Sequence, residues 1–417
     1  MTSTSRRSLA VMFSLSLLCS LALAGWTQLT VGVPAELYAI HFPAGTQVGY
    51  AVGAGIDSLG GEAGAIVKTT DGGTTWTSQV SGVTSPLKSV YFTSDDNGYA
   101  VGNAGTGIRT TDGGATWTPM TIPGTDMLNY VRFPGNGQTG YIGVYPRNQA
   151  GKVIKTTDGG SNWADVSVGG AMSWSISCGM ATDQIGVALG KGGMVYGTTD
   201  GFGTASAQGP QTTADLIAAA FSPADPNTGY LIGNDSVQGV IRFTSTGGAS
   251  LWDSVRCPVI TSFFGVDVPT ATAAYVCGTG GYILRSVSNT DFYQTTTGVT
   301  VDIYGVCFPG AQEDTGFACG SGSTILRTYD KGIPWIPGVA EGRVPAVKRS
   351  GIRVVSNPSR HGIALHSDAD VRVSVYDAAG RTVVSQAATR GLSFLPLPTG
   401  AYFVKAGSGT ARAVVTD

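Results

Sequence analysis

The chain has 417 residues, a formal net charge of -2, 12% charged and 42% hydrophobic residues. The near-balance of 25 Lys and Arg against 27 Asp and Glu leaves no basic stripe for nucleic acid, and the hydrophobic share excludes a solvated, disordered chain. Frequent Gly, Thr, Val and aromatic residues, without long helical periodicity, predict an all-β protein.

Residues 1–24 read as a secretory signal. Arg6 and Arg7 supply the positive start, Leu9 to Leu23 is apolar but short for a membrane span, and Ala22-Leu23-Ala24 is a small-x-small cleavage site. A lipoprotein signal ending at Cys19 is the rival, disfavoured by Leu18 before that cysteine. No later segment is apolar enough to span a bilayer, so the processed protein is expected to be soluble.

From residue 25 the chain is organised by repetition. Thr69-Thr70-Asp71-Gly72-Gly73-Thr74-Thr75-Trp76 returns at Thr110–Trp117 and at Thr156–Trp163, and more loosely at Thr328–Trp335. Asp and Gly suit a hairpin turn, and Trp76, Trp117, Trp163 and Trp335 offer apolar anchors after Asp71, Asp112, Asp158 and Asp330. Around the first copy, Leu37–Phe42, Gly49–Gly53, Ala65–Thr69 and Trp76–Val80 read as four strands. The second strand is the ruler: its aromatic slot holds Tyr50, Tyr99, Tyr141, Tyr230, Tyr275 and Phe317, with Val187 in a weaker copy. Successive slots lie 42 to 49 residues apart, the length of a four-stranded propeller blade, so seven units predict a seven-bladed β-propeller over 25–336. The boxes near Asp200, Thr246 and Ser286 have lost parts of the motif, which marks it as a folding device. Trp26–Gly32 resembles Trp76–Gly82 without three strands before it, so residues 26–32 are expected to complete the last blade and remove an open edge.

Residues 337–350, with Pro337, Gly338, Gly342 and Pro345, read as a linker. Residues 351–417 alternate in short strands and predict a small C-terminal β-sandwich of Ig-like type.

Three resemblances follow from these motifs. The Ser/Thr-x-Asp-x-Gly-x-x-Trp pattern resembles the Asp-box, or BNR, repeat of β-propellers. Gly-Tyr-Ala-Val-Gly together with Thr-Thr-Asp-Gly-Gly-x-x-Trp, over residues 26–335, is similar to the photosystem II assembly and stability factors, which implies a scaffold role toward protein partners. Asn357-Pro358, Val375-Tyr376-Asp377 with Gly380-Arg381, and Leu397–Val404 resemble the C-terminal sorting domain of type IX secretion cargo. That resemblance implies recognition by the secretion machinery through residues 351–417 and an address outside a Gram-negative cell, secreted or on its outer surface. Arg412 alone stands for the usual Lys-rich last strand. A flagellar-hook-capping Ig-like domain is the rival family, and an Ig-like module without a sorting role is the plain alternative.

Asp-box propellers include sialidases, so a glycoside hydrolase is the enzyme alternative. Arg109, Arg242, Arg285 and Arg327 share the third-strand slot of Lys68 and Lys155, which reads as structure and not as a carboxylate-binding triad. With only His41, His361 and His366, a Ser-His-Asp triad or histidine metal cluster in the propeller is nearly excluded. One carboxylate per hairpin is too little for Ca²⁺, so no catalytic residue, cofactor or metal is expected. Cys307 and Cys319 flank a turn and are candidates for a disulfide, with buried free thiols as the alternative.

What remains is a binding surface. The second position of the first strands reads Tyr38, Lys88, Asn129, Trp174, Ile217, Phe264 and Tyr304, an aromatic-rich ring suited to stacking on a sugar or a peptide. The expectation is a monomeric binding or scaffold propeller with a protein or glycan ligand. Packing between blades is the competing use of those side chains.

Overall fold

The computed structural model describes residues 25–332 apart from 33–34, 44, 57–60, 136, 146–151, 169–174, 236–237, 250–251, 260 and 290. Beyond them it describes 352–416 apart from 355–358, 361, 368–370, 378–380, 389–390, 399 and 407–408. The described residues fall into two compact units that divide between 336 and 337.

The first unit is a succession of four-stranded antiparallel sheets, seven among the described residues. Sheet 1 consists of Ala35–His41, Gly49–Ile56, Glu62–Thr69 and Thr77–Gln79, paired in that order. The first strands of sheets 2 to 7 are Leu87–Phe92, Met127–Arg132, Ser175–Met180, Asp215–Phe221, Phe263–Thr270 and Ile303–Cys307. Each first strand packs against that of the next sheet, and Ile303–Cys307 packs against Ala35–His41. The first strands therefore line the inside of a closed ring.

Sheet 7 is completed from the other end of the chain. Thr27–Leu29 pairs antiparallel with Thr324–Thr328, with Gln28 opposite Leu326, and becomes the fourth strand outside Gly316–Gly320 and Ile303–Cys307. Trp26 is buried and its indole N–H donates to Thr295 Oγ1 at 3.0 Å.

The boxes are hydrogen-bonded turns. Thr69 Oγ1 donates to Asp71 Oδ1 at 2.8 Å and accepts the Gly73 N–H at 2.9 Å, while Asp71 Oδ1 accepts the Thr75 N–H at 2.9 Å. The same set recurs at Asp112 and at Asp158. It recurs at Asp200 too, although that box lacks a tryptophan: Phe202 takes the second glycine's place, at φ 64°, and lies buried edge-on to Tyr141. Gly73, at φ 82°, shows why glycine is preferred there, since a Cβ would sit 2.6 Å from the Phe317 ring.

At four of the seven junctions, adjacent sheets are joined by the same stacked contact. The second-strand ring of one sheet stacks on the Phe that ends, or directly follows, the next sheet's first strand: Tyr50 on Phe92, Tyr99 on Phe133 and Tyr275 on Phe308, at 3.7, 4.2 and 3.9 Å between centroids. Phe317 of sheet 7 stacks on Phe42 of sheet 1 at 3.9 Å, so the closing contact matches the others. Against each such Phe stands an edge-on indole: Trp76 on Phe42, Trp117 on Phe92, Trp163 on Phe133 and Trp252 on Phe221, at 5.9 to 6.0 Å. In sheet 7 that indole is Trp26, 6.0 Å from Phe308 and against Gly332 of the box turn. The sequence assigned this role to Trp335, which lies outside the described residues; the slot is taken by the residue preceding the strand that closes the sheet.

The second unit has a three-stranded sheet of Ile352–Val354, Gly362–Ser367 and Gly391–Pro396. A five-stranded sheet contains Val371–Asp377, Thr382–Ala388, Gly400–Ala406, Gly409–Thr416 and the short Ser359–Arg360. Arg381 reaches back to its turn, with Nε donating to Asp377 Oδ2 at 2.7 Å.

Candidate ligand-binding site

Every first strand of the ring carries a β-bulge at the same level. Pairing with the second strand skips one residue, leaving Tyr38, Lys88, Asn129, Ile176, Ile217, Phe264 and Tyr304 as the extra residues in sheets 1 to 7. A bulge bends the strand and re-aims the side chain, which gives these first-strand positions a common level in the channel. Six of these residues are the expected ones. In sheet 4 the position is Ile176 and not Trp174, because Ser175 and Ser177 pair with Gly190 and Leu189 on either side of it; Trp174 lies outside the described residues.

Strand register places this level at the end of the ring away from the box turns. Leu37 pairs with Gly53 and Gly53 with Ala65, near the start of the third strand, while His41 pairs with Tyr50 and Tyr50 with Lys68, beside the box. At the mouth, three rings and one ammonium form a continuous arc. Phe264 and Tyr304 have centroids 5.1 Å apart, Tyr304 and Tyr38 5.4 Å apart, and Lys88 Nζ stands 3.7 Å from the centroid of Tyr38. All four are part-buried, so each contributes to packing and presents a face. Burial raises the Tyr38 and Tyr304 hydroxyls, with Glu36 adding to both, and burial lowers the Lys88 ammonium.

The rim is built from latches between sheets. Glu36 Oε1 accepts from Ser321 Oγ at 3.1 Å and from the Gly322 N–H at 3.3 Å. Asp302 Oδ1 accepts the Gly280 N–H at 2.9 Å, and Asp215 Oδ1 the Gly192 N–H at 3.0 Å. Each carboxylate lies two residues before a bulge and holds the preceding sheet's turn.

Deeper in the channel lies a polar group that the sequence did not assemble. His41, Tyr91, Arg132, Asp267 and Cys307 occupy the same level of sheets 1, 2, 3, 6 and 7, each paired with the aromatic residue of its second strand. His41 and Arg132 both lie against Tyr91, at 4.5 and 5.5 Å from its ring. Burial, with the Arg132 charge adding, lowers His41 to about 3, and burial raises the Asp267 carboxyl. Asp267 Oδ2 accepts the Phe308 N–H at 2.7 Å, which ties it to the backbone. The available signal was the residue before the buried apolar position Phe42, Phe92, Phe133, Val268 and Phe308.

The third-strand cations are structural. Lys68 Nζ donates to Gly113 O at 2.6 Å, Lys155 Nζ to Gly201 O at 2.7 Å and Arg327 Nη1 to Gly72 O at 3.0 Å, in each case the next sheet's box. Arg285 pairs with Glu313 at 2.6 Å. These arginines do not converge on one substrate.

Of the two readings of Cys307 and Cys319, a disulfide or free thiols, the structure has free thiols. Cys307 pairs with Phe317 and Cys319 with Gly305, so the two cysteines are diagonal and not opposite. Among the described residues no group of three His, Cys, Asp or Glu could hold a metal, and no helix is long and apolar enough to cross a membrane.

Residues 81–217 match the family described as "Photosynthesis system II assembly factor YCF48". No curated protein matches the chain. Among solved structures, it is similar to "YCF48 bound to D1 peptide", at 21% identity and a TM-score of 0.57, over 73% of this chain and 96% of that one. YCF48 from Cyanidioschyzon merolae gives 18% identity and a TM-score of 0.57, over 73% and 98%. The likeness to the GH74 enzyme of Niastella koreensis, 15% identical over 90% of this chain and 65% of that one, has a TM-score of 0.49 and carries no argument. The fold of the first unit is thus a BNR-type propeller resembling the photosystem II assembly factor.

Proposed function

We propose that the seven sheets are the blades of one closed propeller whose channel mouth binds a protein ligand, and that the chain is a scaffold or adhesion protein. The observation that carries this reading is the arc of Phe264, Tyr304, Tyr38 and Lys88, in which side chains from four first strands meet at one mouth. Part-buried aromatic rings held by a rigid sheet can bind with little loss of side-chain entropy. The similarity to a structure named for its bound D1 peptide supports a polypeptide over a glycan.

The address belongs to the same proposal. Residues 1–24 act as an export signal, 337–350 as a linker, and 351–417 as a β-sandwich sorting module that takes the propeller across the outer membrane of a Gram-negative cell. The support is in the sequence: Arg6, Arg7 and Ala22-Leu23-Ala24 at one end, Asn357-Pro358 and Leu397–Val404 at the other.

A random-peptide array and a glycan array probed with the purified protein test the binding reading. Retention on peptides, lost in Tyr304→Ala and Tyr38→Ala at an unchanged melting temperature, supports it. A blank peptide array, or retention indifferent to both substitutions, contradicts it.

A further inference from the structure

The mouth already contains an answer to what kind of polypeptide it takes. Lys88 stands with its ammonium on the face of Tyr38, 3.7 Å from the ring centroid, and forms no ion pair among the described residues. An ammonium over a phenol face is held by the ring quadrupole. The arc does not end at that ring: Tyr304 and Phe264 continue it, and among the described residues no lysine stands over either. The charges beside it are negative. Glu36 acts on both Tyr38 and Tyr304, Glu62 on Tyr38 and Asp302 on Tyr304. Glu36 and Asp302 are fixed by Ser321, Gly322 and Gly280, and a carboxylate accepting one or two bonds keeps lone pairs to offer. Three carboxylates against one ammonium give the arc a net negative surround.

We propose that the aromatic arc is a cation site for Lys- or Arg-bearing polypeptide segments, and that Lys88 is its internal occupant. This rests on the polypeptide-binding reading above. An incoming basic side chain lies on Tyr304 and Phe264 between Glu36 and Asp302, and competes with Lys88 for the Tyr38 face. Lys88 therefore limits affinity: it repels the ligand's charge and covers one ring of the platform.

The test uses the full chain and two labelled probes, a Lys/Gly peptide and its Glu/Gly counterpart, followed by fluorescence anisotropy. The expected result is binding of the Lys/Gly peptide only, weakened by rising ionic strength. Lys88→Met should tighten it by roughly three- to tenfold, the scale of one cation–π contact removed from competition. Glu36→Gln combined with Asp302→Asn should weaken it by a similar factor; both keep the acceptor oxygen that latches the neighbouring turn. Should Lys88→Met lose its melting transition, the Glu36/Asp302 pair and Tyr304→Ala carry the test. Preference for the Glu/Gly peptide, with Lys88→Met weakening it, would overturn the inference and leave the polypeptide reading standing. Binding of neither probe also overturns it, while the broader reading falls only if the random-peptide array is blank too.

Discussion

Trp26 stands edge-on to Phe308, with centroids 6.0 Å apart and planes at 81°, as Trp76 stands to Phe42 at 5.9 Å and 89°. One indole, Trp76, follows its own box, while Trp26 fills the slot of a box at the far end of the unit. The ring is thereby closed by the same contact that builds it, and the edge of Thr324–Thr328 is paired instead of open.

Trp26→Ala should therefore cost as much as Trp76→Ala, about 3–5 kcal/mol for an aromatic anchor removed from a packed site. Thr295→Val, which removes the acceptor of the Trp26 indole N–H, should cost less, about 1 kcal/mol. Thermal melts of the three variants decide between them.

The boxes were legible because each is local. Thr69, Asp71, Gly73 and Thr75 are near neighbours in sequence, and their hydrogen bonds follow from that spacing. Trp26 was legible as a closing strand through its likeness to Trp76, but its occupation of the box's indole slot was not. Trp335 keeps the right spacing, and only tertiary packing shows which indole fills the slot. The bulges were invisible too. The extra residue of sheet 4 falls at Ile176, and the hairpin register sets Cys307 opposite Phe317 and Cys319 opposite Gly305, neither of which residue spacing alone reveals. His41, Arg132 and Asp267 meet only through ring closure.

The box carboxylates predict an acid limit to stability. Backbone and side-chain bonds from Thr75 hold Asp71 at about 2, bonds from Thr116 do the same for Asp112, and bonds from Asn162 for Asp158. The unfolded value is about 3.9, so the folded state binds protons less readily. Their contribution is present in full above about pH 4 and is lost as the pH falls toward 2. Melting temperatures across that window should fall less steeply when Asp71, Asp112 and Asp158 are each replaced by Asn.

His41 acts in a higher window. Its folded value of about 3 lies below the unfolded value of about 6.5, so the unfolded chain takes up the proton first. Stability from keeping this ring neutral is present above about pH 6.5 and declines below it, by about 2 kcal/mol on reaching pH 5. His41→Phe should flatten the melting temperature between those values. An unchanged slope would place the titrating group elsewhere.

Burial pushes the thiols of Cys178, Cys277 and Cys307 up to about 12, and Cys319 is raised by burial as well. A thiolate-dependent reagent should leave these four unlabelled in the native protein and label them on denaturation. Reducing agent should not shift the melting temperature; a shift would restore the disulfide.

Closure of sheet 7 by Thr27–Leu29 is tested most directly by a covalent link. Thr27 pairs with Arg327 across the closing strands. Opposed residues of an antiparallel pair have Cβ atoms about 4.5–5.5 Å apart, close to what a disulfide spans. In a Thr27→Cys, Arg327→Cys double variant, mild oxidation should yield one linked peptide joining both ends of the unit by mass spectrometry, with a raised melting temperature. Two free, reactive thiols in a folded protein would show the strand lying elsewhere and the ring closed by something else.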